Sequence, residues 1–177
     1  MTGENENLLL RALSFIVSCL NSLGTILIFV LVLIINTDVL SRFLFNAPID
    51  GVKEIVELSI VAIVFLQLGD AVRADKLPRS DALYTRIVAD KPRLGHSMSV
   101  FFDLAGVIFF IAILVGAIPL FVDAFVRNYY VGNQGMFMMH IWPVRLILVI
   151  GCTTTILVFV ARIAGHLKAL LKDRDIQ

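Results

Sequence analysis

The 177-residue chain has few charges, few cysteines and few prolines, and each scarcity excludes a class of protein. Only 16% of its residues are Asp, Glu, Lys or Arg, and 59% are hydrophobic, whereas soluble domains carry about 25% charged residues. Cys19 and Cys152 lie far apart inside apolar segments, which excludes the paired thiols of a disulfide-handling enzyme. Because five prolines and no low-complexity tract leave no linker, we expect one membrane domain over residues 1–177.

The sequence also lacks the motifs of common enzymes. It contains no GxSxG, HExxH or P-loop pattern. Its three histidines, His96, His140 and His166, lie at the edges of the hydrophobic segments or between them, so they do not provide the facing pair that a haem inside a helix bundle needs. We therefore expect a protein that is not an enzyme and that binds no cofactor or metal of its own.

Four hydrophobic segments predict an all-α membrane protein with four transmembrane helices. They lie at residues 12–37, 51–72, 101–122 and 143–163. The first contains 26 residues without a charge, whereas the apolar stretch of a cleaved signal peptide has about 7–15 residues. We therefore expect it to be an uncleaved helix that spans the bilayer.

The distribution of basic residues predicts the orientation of these helices. Eleven of the fifteen Lys and Arg residues lie near the two termini or between the second and third segments. The other four, Arg42, Lys53, Arg127 and Arg145, lie on the opposite side. Because cytoplasmic segments carry the excess of Lys and Arg, both termini and the middle loop are predicted to be cytoplasmic.

The middle loop carries a periodic pattern of its own between Pro78 and Pro92. Residues 80–90 have apolar side chains at the spacing of one helix face, namely Leu83, Tyr84, Ile87 and Val88. This pattern predicts a short amphipathic helix that lies on the cytoplasmic membrane interface. The alternative is a solvated loop with accidental periodicity.

The second hydrophobic segment has charges unusually close to its core. Only 12 uncharged residues separate Glu57 from Asp70, about 18 Å of helix, whereas the hydrocarbon core is about 30 Å thick. Glu54 and Glu57 share one helix face and need a partner, a watery cavity or a proton. One interpretation is a proton or cation site. The other, favoured by their position near the outer end, is pairing with Arg42, Lys53 or another subunit.

Residues 42–81 also carry an ordered set of motifs. After the first segment, an Arg precedes a Phe by three residues, and a Pro then precedes a Glu by six. Further along, an aromatic–Leu pair precedes a small residue, and an Arg precedes an Asp by eight. These residues are Arg42, Phe45, Pro48, Glu54, Phe65, Leu66, Gly69, Arg73 and Asp81. In this order and topology the chain resembles the small, DctQ-like membrane subunits of tripartite ATP-independent periplasmic (TRAP) transporters. It departs from them at Gly51, Lys53 and Leu77, where that family often has a Trp, an acid and a His.

The resemblance implies a non-catalytic subunit in the inner membrane of a bacterium. Such a subunit scaffolds and anchors a large, DctM-like membrane subunit, which holds the substrate and sodium sites and imports an organic anion that a periplasmic binding protein delivers. The face of Glu54 and Glu57, with Arg42, would then form part of the contact with the large subunit or brace the loop that does. Arg73 and Asp81 are further candidates for interface or structural charges. The alternative is a self-sufficient, homo-oligomeric cation-coupled transporter that uses Glu54 or Glu57.

Overall fold

The computed structural model describes residues 2–74, 92–132 and 138–172. It consists of four long helices and one short antiparallel hairpin. The elements are α1 (Thr2–Phe45), α2 (Val52–Arg73), α3 (Pro92–Val126), β1 (Tyr130–Val131), β2 (Met139–His140) and α4 (Trp142–Lys172). All four helices are long and apolar enough to cross a membrane, which confirms the predicted class of an all-α protein with four transmembrane helices.

The helices differ in length and extend beyond the predicted hydrophobic spans. Helix α1 has 44 residues and α2 has 22, which correspond to about 66 Å and 33 Å. Their apolar portions are Leu10–Phe45 and Val52–Arg73. The predicted interfacial helix at residues 80–90, with Asp81, lies outside the described residues.

The four helices pack in the order α1, α2, α4, α3. Helix α1 runs antiparallel to α2, and α3 runs antiparallel to α4. The central helices α2 and α4 run in the same direction, because Phe65 lies against Gly151 and, further along both helices, Val72 contacts Arg162. Within the described residues, α1 and α3 therefore lie at the two edges of the arrangement, and most of their apolar surface is exposed.

Glycines allow the closest helix approaches. A Cβ atom on Gly106 of α3 would lie 2.8 Å from the ring of Phe159 in α4. A Cβ atom on Gly151 of α4 would overlap the backbone carbonyl of Phe65 in α2. Since a backbone atom cannot rotate away as a side chain does, Gly151 determines how close the two central helices lie.

A buried hydrophobic cluster lies at one end of the helices, which we call the Arg162 end. Its buried centre consists of Val17 of α1, Val72 of α2, and Val158 and Phe159 of α4. The partly buried Leu13 of α1 and Val107 and Phe110 of α3 pack against it. The opposite end, which we call the Arg42 end, contains the α1–α2 turn and the hairpin. Asn46, Asn128 and Gly51 have left-handed backbone there, with φ of 50°, 49° and 85°, and Asn and Gly tolerate this conformation best.

Candidate functional site

The predicted contact residue Arg42 belongs to a braced corner between α1 and α2. Its Nε donates to the Asp38 carboxylate at 2.8 Å, and the backbone N–H of Ile49 donates to the other oxygen of Asp38 at 2.9 Å. Ser41 Oγ donates to the carbonyl of Ala47 at 2.7 Å. Two of these hydrogen bonds join the end of α1 to the loop that leads into α2, and the third, from Arg42 to Asp38, lies within α1.

Asp38 is the residue of this corner that the sequence interpretation missed. It is 7% exposed, whereas the side chain of Arg42 is 57% exposed. A buried carboxylate needs hydrogen-bond donors, and Asp38 obtains them from both neighbours. Its position four residues before Arg42 was the available signal, because residues at i and i+4 adjoin on a helix.

The two carboxylates of the second span, Glu54 and Glu57, take no part in the hydrogen bonds of this corner. Glu54 is half-buried and Glu57 is exposed. Arg42 pairs with Asp38 rather than with either of them. Within residues 2–74, 92–132 and 138–172, neither glutamate has a hydrogen bond or an ion pair.

The predicted structural charge Arg73 joins α2 to α1. Its guanidinium donates to Asp70 at 2.9 Å and to the backbone carbonyl and hydroxyl of Ser14. Asn21 of α1 donates to the second oxygen of Asp70 at 3.1 Å. Ser14 and Asn21 of α1 and Asp70 and Arg73 of α2 therefore form one hydrogen-bonded cluster. Asp81, predicted together with Arg73 as an interface or structural charge, lies outside the described part of the chain.

A second charged cluster at the Arg162 end joins the other helices. Asp103 of α3 is fully buried and lies 3.4 Å from Arg162 Nε and 3.9 Å from His166 Nε2, both in α4. Arg162 also donates to the carbonyl of Val72 at 2.6 Å. Sequence reasoning gave Asp103 no role, although this residue lies inside the predicted third span, residues 101–122. The signal was an acid and an arginine that flank the third and fourth apolar runs on the same predicted side of the membrane.

The arrangement joins helices and offers contact surfaces. No buried side-chain N or O atom of the described residues lacks a hydrogen bond, and in that part of the chain no three His, Cys, Asp or Glu side chains form a metal-binding group. A groove of about 350 Å³ opens between α1 and α2 beside the corner. Its lining is mostly apolar, with Leu33, Ile34 and Ile49, which suits a hydrocarbon or apolar side chain rather than a charged solute.

Comparison with known proteins gives one family. The family model described as "Tripartite ATP-independent periplasmic transporters, DctQ component" matches residues 31–169. A search of curated proteins and a search of solved structures give no match. The matched segment includes the Arg42 corner, both glutamates of α2, and the cluster of Asp103 and Arg162.

Proposed function

The chain belongs to the DctQ family of TRAP transporter components, and we propose that it is a non-catalytic subunit that scaffolds and anchors the large membrane subunit. The resemblance in residues 42–81 is confirmed by this membership. As a member with four apolar helices, the chain is a multi-pass protein of the inner membrane. The observation that carries the proposal is the family match over residues 31–169.

The internal charges support the role of a static scaffold. Asp70 and Arg73 hold α1 to α2, while Asp103 and Arg162 hold α3 and α4 to the end of α2. The hydrogen bonds and ion pairs of these groups therefore join helices within one chain. A subunit braced in this way is suited to stay fixed while a partner moves.

Glu54 and Glu57 supply the proposed contact with the large subunit. Both are accessible, and neither has an ion pair among the described residues. A carboxylate at the edge of the hydrocarbon is costly unless a basic group or a donor faces it. We assign that group to the large subunit, with the exposed side of the Arg42 guanidinium as a second contact on the same end of the protein.

The remaining features of the proposal follow from the family resemblance. The large subunit holds the sodium and substrate sites, a periplasmic protein delivers an organic anion, and this chain binds no cofactor. The excess of Lys and Arg supports cytoplasmic termini. With this orientation the Arg42 end faces the periplasm, on the side where the binding protein arrives.

Co-purification of the two membrane subunits tests the proposed function. We expect the large subunit, expressed with this chain, to be retained by a tag on the chain. Glu54→Gln, Glu57→Gln and Arg42→Ala are expected to lower the retained fraction, because each removes a charge from the proposed contact. The matched control is Asp123→Asn, an exposed acid of α3 whose ion pair with Arg127 is 3.9 Å long. Equal retention by all variants would contradict the assigned contact.

Reconstitution tests the alternative of a self-sufficient transporter. Liposomes that contain only this chain are expected to show no sodium or proton flux. Liposomes that also contain the large subunit are expected to accumulate solute when the loaded binding protein is added. Flux through the chain alone, abolished by Glu54→Gln or Glu57→Gln, would establish the alternative instead.

A further inference from the structure

One face of the α1–α2 pair carries polar groups at membrane depth. Gln67 Nε2 lies 3.5 Å from Thr25 Oγ1 on this face. Asn36 follows Thr25 by eleven residues, about three helical turns, so it projects in nearly the same direction. On α2, Lys53 and Ile60 precede Gln67 at intervals of seven residues and share its side of the helix. We call this surface the Asn36 face; it comprises Thr25, Phe29, Asn36, Lys53, Ile60 and Gln67.

The register of the two helices places Asn36 and Lys53 at similar depths along the α1–α2 pair. Asn21 bonds Asp70, and Thr25 contacts Gln67, so each step along α1 corresponds to an equal step back along α2. If this register is continued along α1 to Asn36, the corresponding position on α2 is Val56, which lies about one helical turn from Lys53. Between these residues and Gln67 the surface is apolar, with Phe29 69% and Ile60 51% exposed.

The amide of Asn36 is only partly satisfied. Nδ2 donates to the carbonyl of Val32 at 2.7 Å. Among the described residues, its Oδ1 has no donor, and the side chain is exposed. Asn36 lies inside the apolar stretch Leu10–Phe45 and six residues, about 9 Å, from Arg42. Lipid tails offer no hydrogen bond at this depth, so the amide favours contact with another helix.

We propose that one transmembrane helix of the large membrane subunit covers the Asn36 face and donates a side-chain hydrogen bond to Asn36 Oδ1. The inference rests on the proposed function and extends the Glu54–Glu57 contact around α2 onto α1. Charge complementarity identifies the occupant. A symmetric contact of this face between two copies, about an axis along the membrane normal, would place both Lys53 ammonium groups at the same depth, and the face contains no acid to pair with them. A helix of different sequence instead can present an acidic or amide group to Lys53 and Asn36.

Photo-crosslinking in membranes tests which molecule covers this face. We expect benzoylphenylalanine in place of Phe29 or Ile60 to crosslink to the co-expressed large subunit. Placed at Leu23 or Phe109, which are 55% and 61% exposed on other faces, it is expected to give no such crosslink. The inference would be overturned by crosslinks that join two copies of this chain, by crosslinks from the control positions alone, or by the absence of crosslinks from Phe29 and Ile60.

Replacement of the amide gives a second, quantitative test. Asn36→Leu is expected to weaken the affinity of the two subunits about three- to tenfold, the range of one hydrogen bond between membrane helices. Thr37→Val is the matched control, since Thr37 also bonds its own helix at Leu33 and projects about 100° away. Unchanged affinity in Asn36→Leu would contradict the proposal.

The two levels of the proposal can fail separately. If the wild-type chain retains no large subunit, the proposed function itself fails. If the wild-type chain retains the large subunit but Asn36→Leu behaves as Thr37→Val does, only this inference fails.

Discussion

Arg162 Nη1 donates a hydrogen bond of 2.6 Å to the backbone carbonyl of Val72, in the last turn of the neighbouring helix α2. Carbonyls in the last turn of a helix have no partner within that helix. The same guanidinium faces the fully buried Asp103 at 3.4 Å. One side chain of α4 therefore caps α2 and neutralises the buried acid of α3, so three helices depend on it.

Removal of Arg162 is expected to destabilise the protein by about 3 kcal/mol, because the buried Asp103 would lose the guanidinium that faces it. Arg162→Leu and Asp103→Leu should each show this loss. Thermal unfolding in detergent, followed by the reaction of Cys152 with a maleimide dye, provides the measurement. Cys152 is fully buried, and the exposed Cys19 is replaced by Ser in all variants.

The double variant Asp103→Leu/Arg162→Leu tests whether the two residues act as a pair. Its loss is expected to be smaller than the sum of the two single losses, because no buried charge remains unpaired. Additive losses would show that the two side chains stabilise the helices independently.

The contact between α2 and α4 predicts opposite effects for two Gly→Ala substitutions in α4. Gly151→Ala is expected to cost about 1–3 kcal/mol or more, since its Cβ would overlap the carbonyl of Phe65 and push the helices apart. Gly165→Ala is the matched control. Among the described residues, nothing lies within 4 Å of a Cβ atom there, so the better helix propensity of Ala should stabilise the protein by about 0.5–1 kcal/mol. The same Cys152 assay ranks them, and similar melting temperatures would contradict the close approach at Gly151.

The corner at Asp38 predicts a local change in hydrogen exchange. Asp38→Ala removes the acceptor of the Ile49 N–H, so this amide is expected to exchange about ten- to a hundredfold faster, the value of a hydrogen bond to a charged group. Hydrogen–deuterium exchange of peptides that cover residues 46–51 provides the measurement. Ser41→Ala is the control, because it removes only the bond to the carbonyl of Ala47. Equal protection of Ile49 in Asp38→Ala would show that the carboxylate does not hold the loop.

The class of fold was predictable because hydrophobic length alone identifies spanning helices. The first span shows what this signal omits: residues 12–37 are uncharged, yet α1 continues through Asp38 and Arg42 to Phe45. A charge ends an apolar run, but it does not end a helix when the next turn supplies its partner. The packing order was not predictable either, since the parallel contact of α2 and α4 depends on a glycine, Gly151, whose neighbour Phe65 is remote in sequence.

The candidate site was predictable only where residues close in sequence interact. The motif identified Arg42 and Arg73, and both make ion pairs within one helical turn, with Asp38 and Asp70. The pair of Asp103 and Arg162 is separated by 59 residues, and sequence spacing carries no information about such a contact. The roles of Glu54 and Glu57 stay predictions, because their proposed partners belong to another chain.

The predicted orientation has a direct test in single-cysteine variants that lack Cys19 and Cys152. Arg127→Cys, at the Arg42 end, is expected to react with a membrane-impermeant maleimide in intact spheroplasts. Thr2→Cys is expected to react only after lysis, because the basic residues near the termini keep that side in the cytoplasm. The loss of Arg127 itself strengthens the charge bias, since it removes one of the four basic residues on the outer side. Labelling of Thr2→Cys but not of Arg127→Cys before lysis would show the opposite orientation. The Arg42 corner, with Glu54 and Glu57, would then lie on the cytoplasmic side, away from any periplasmic partner.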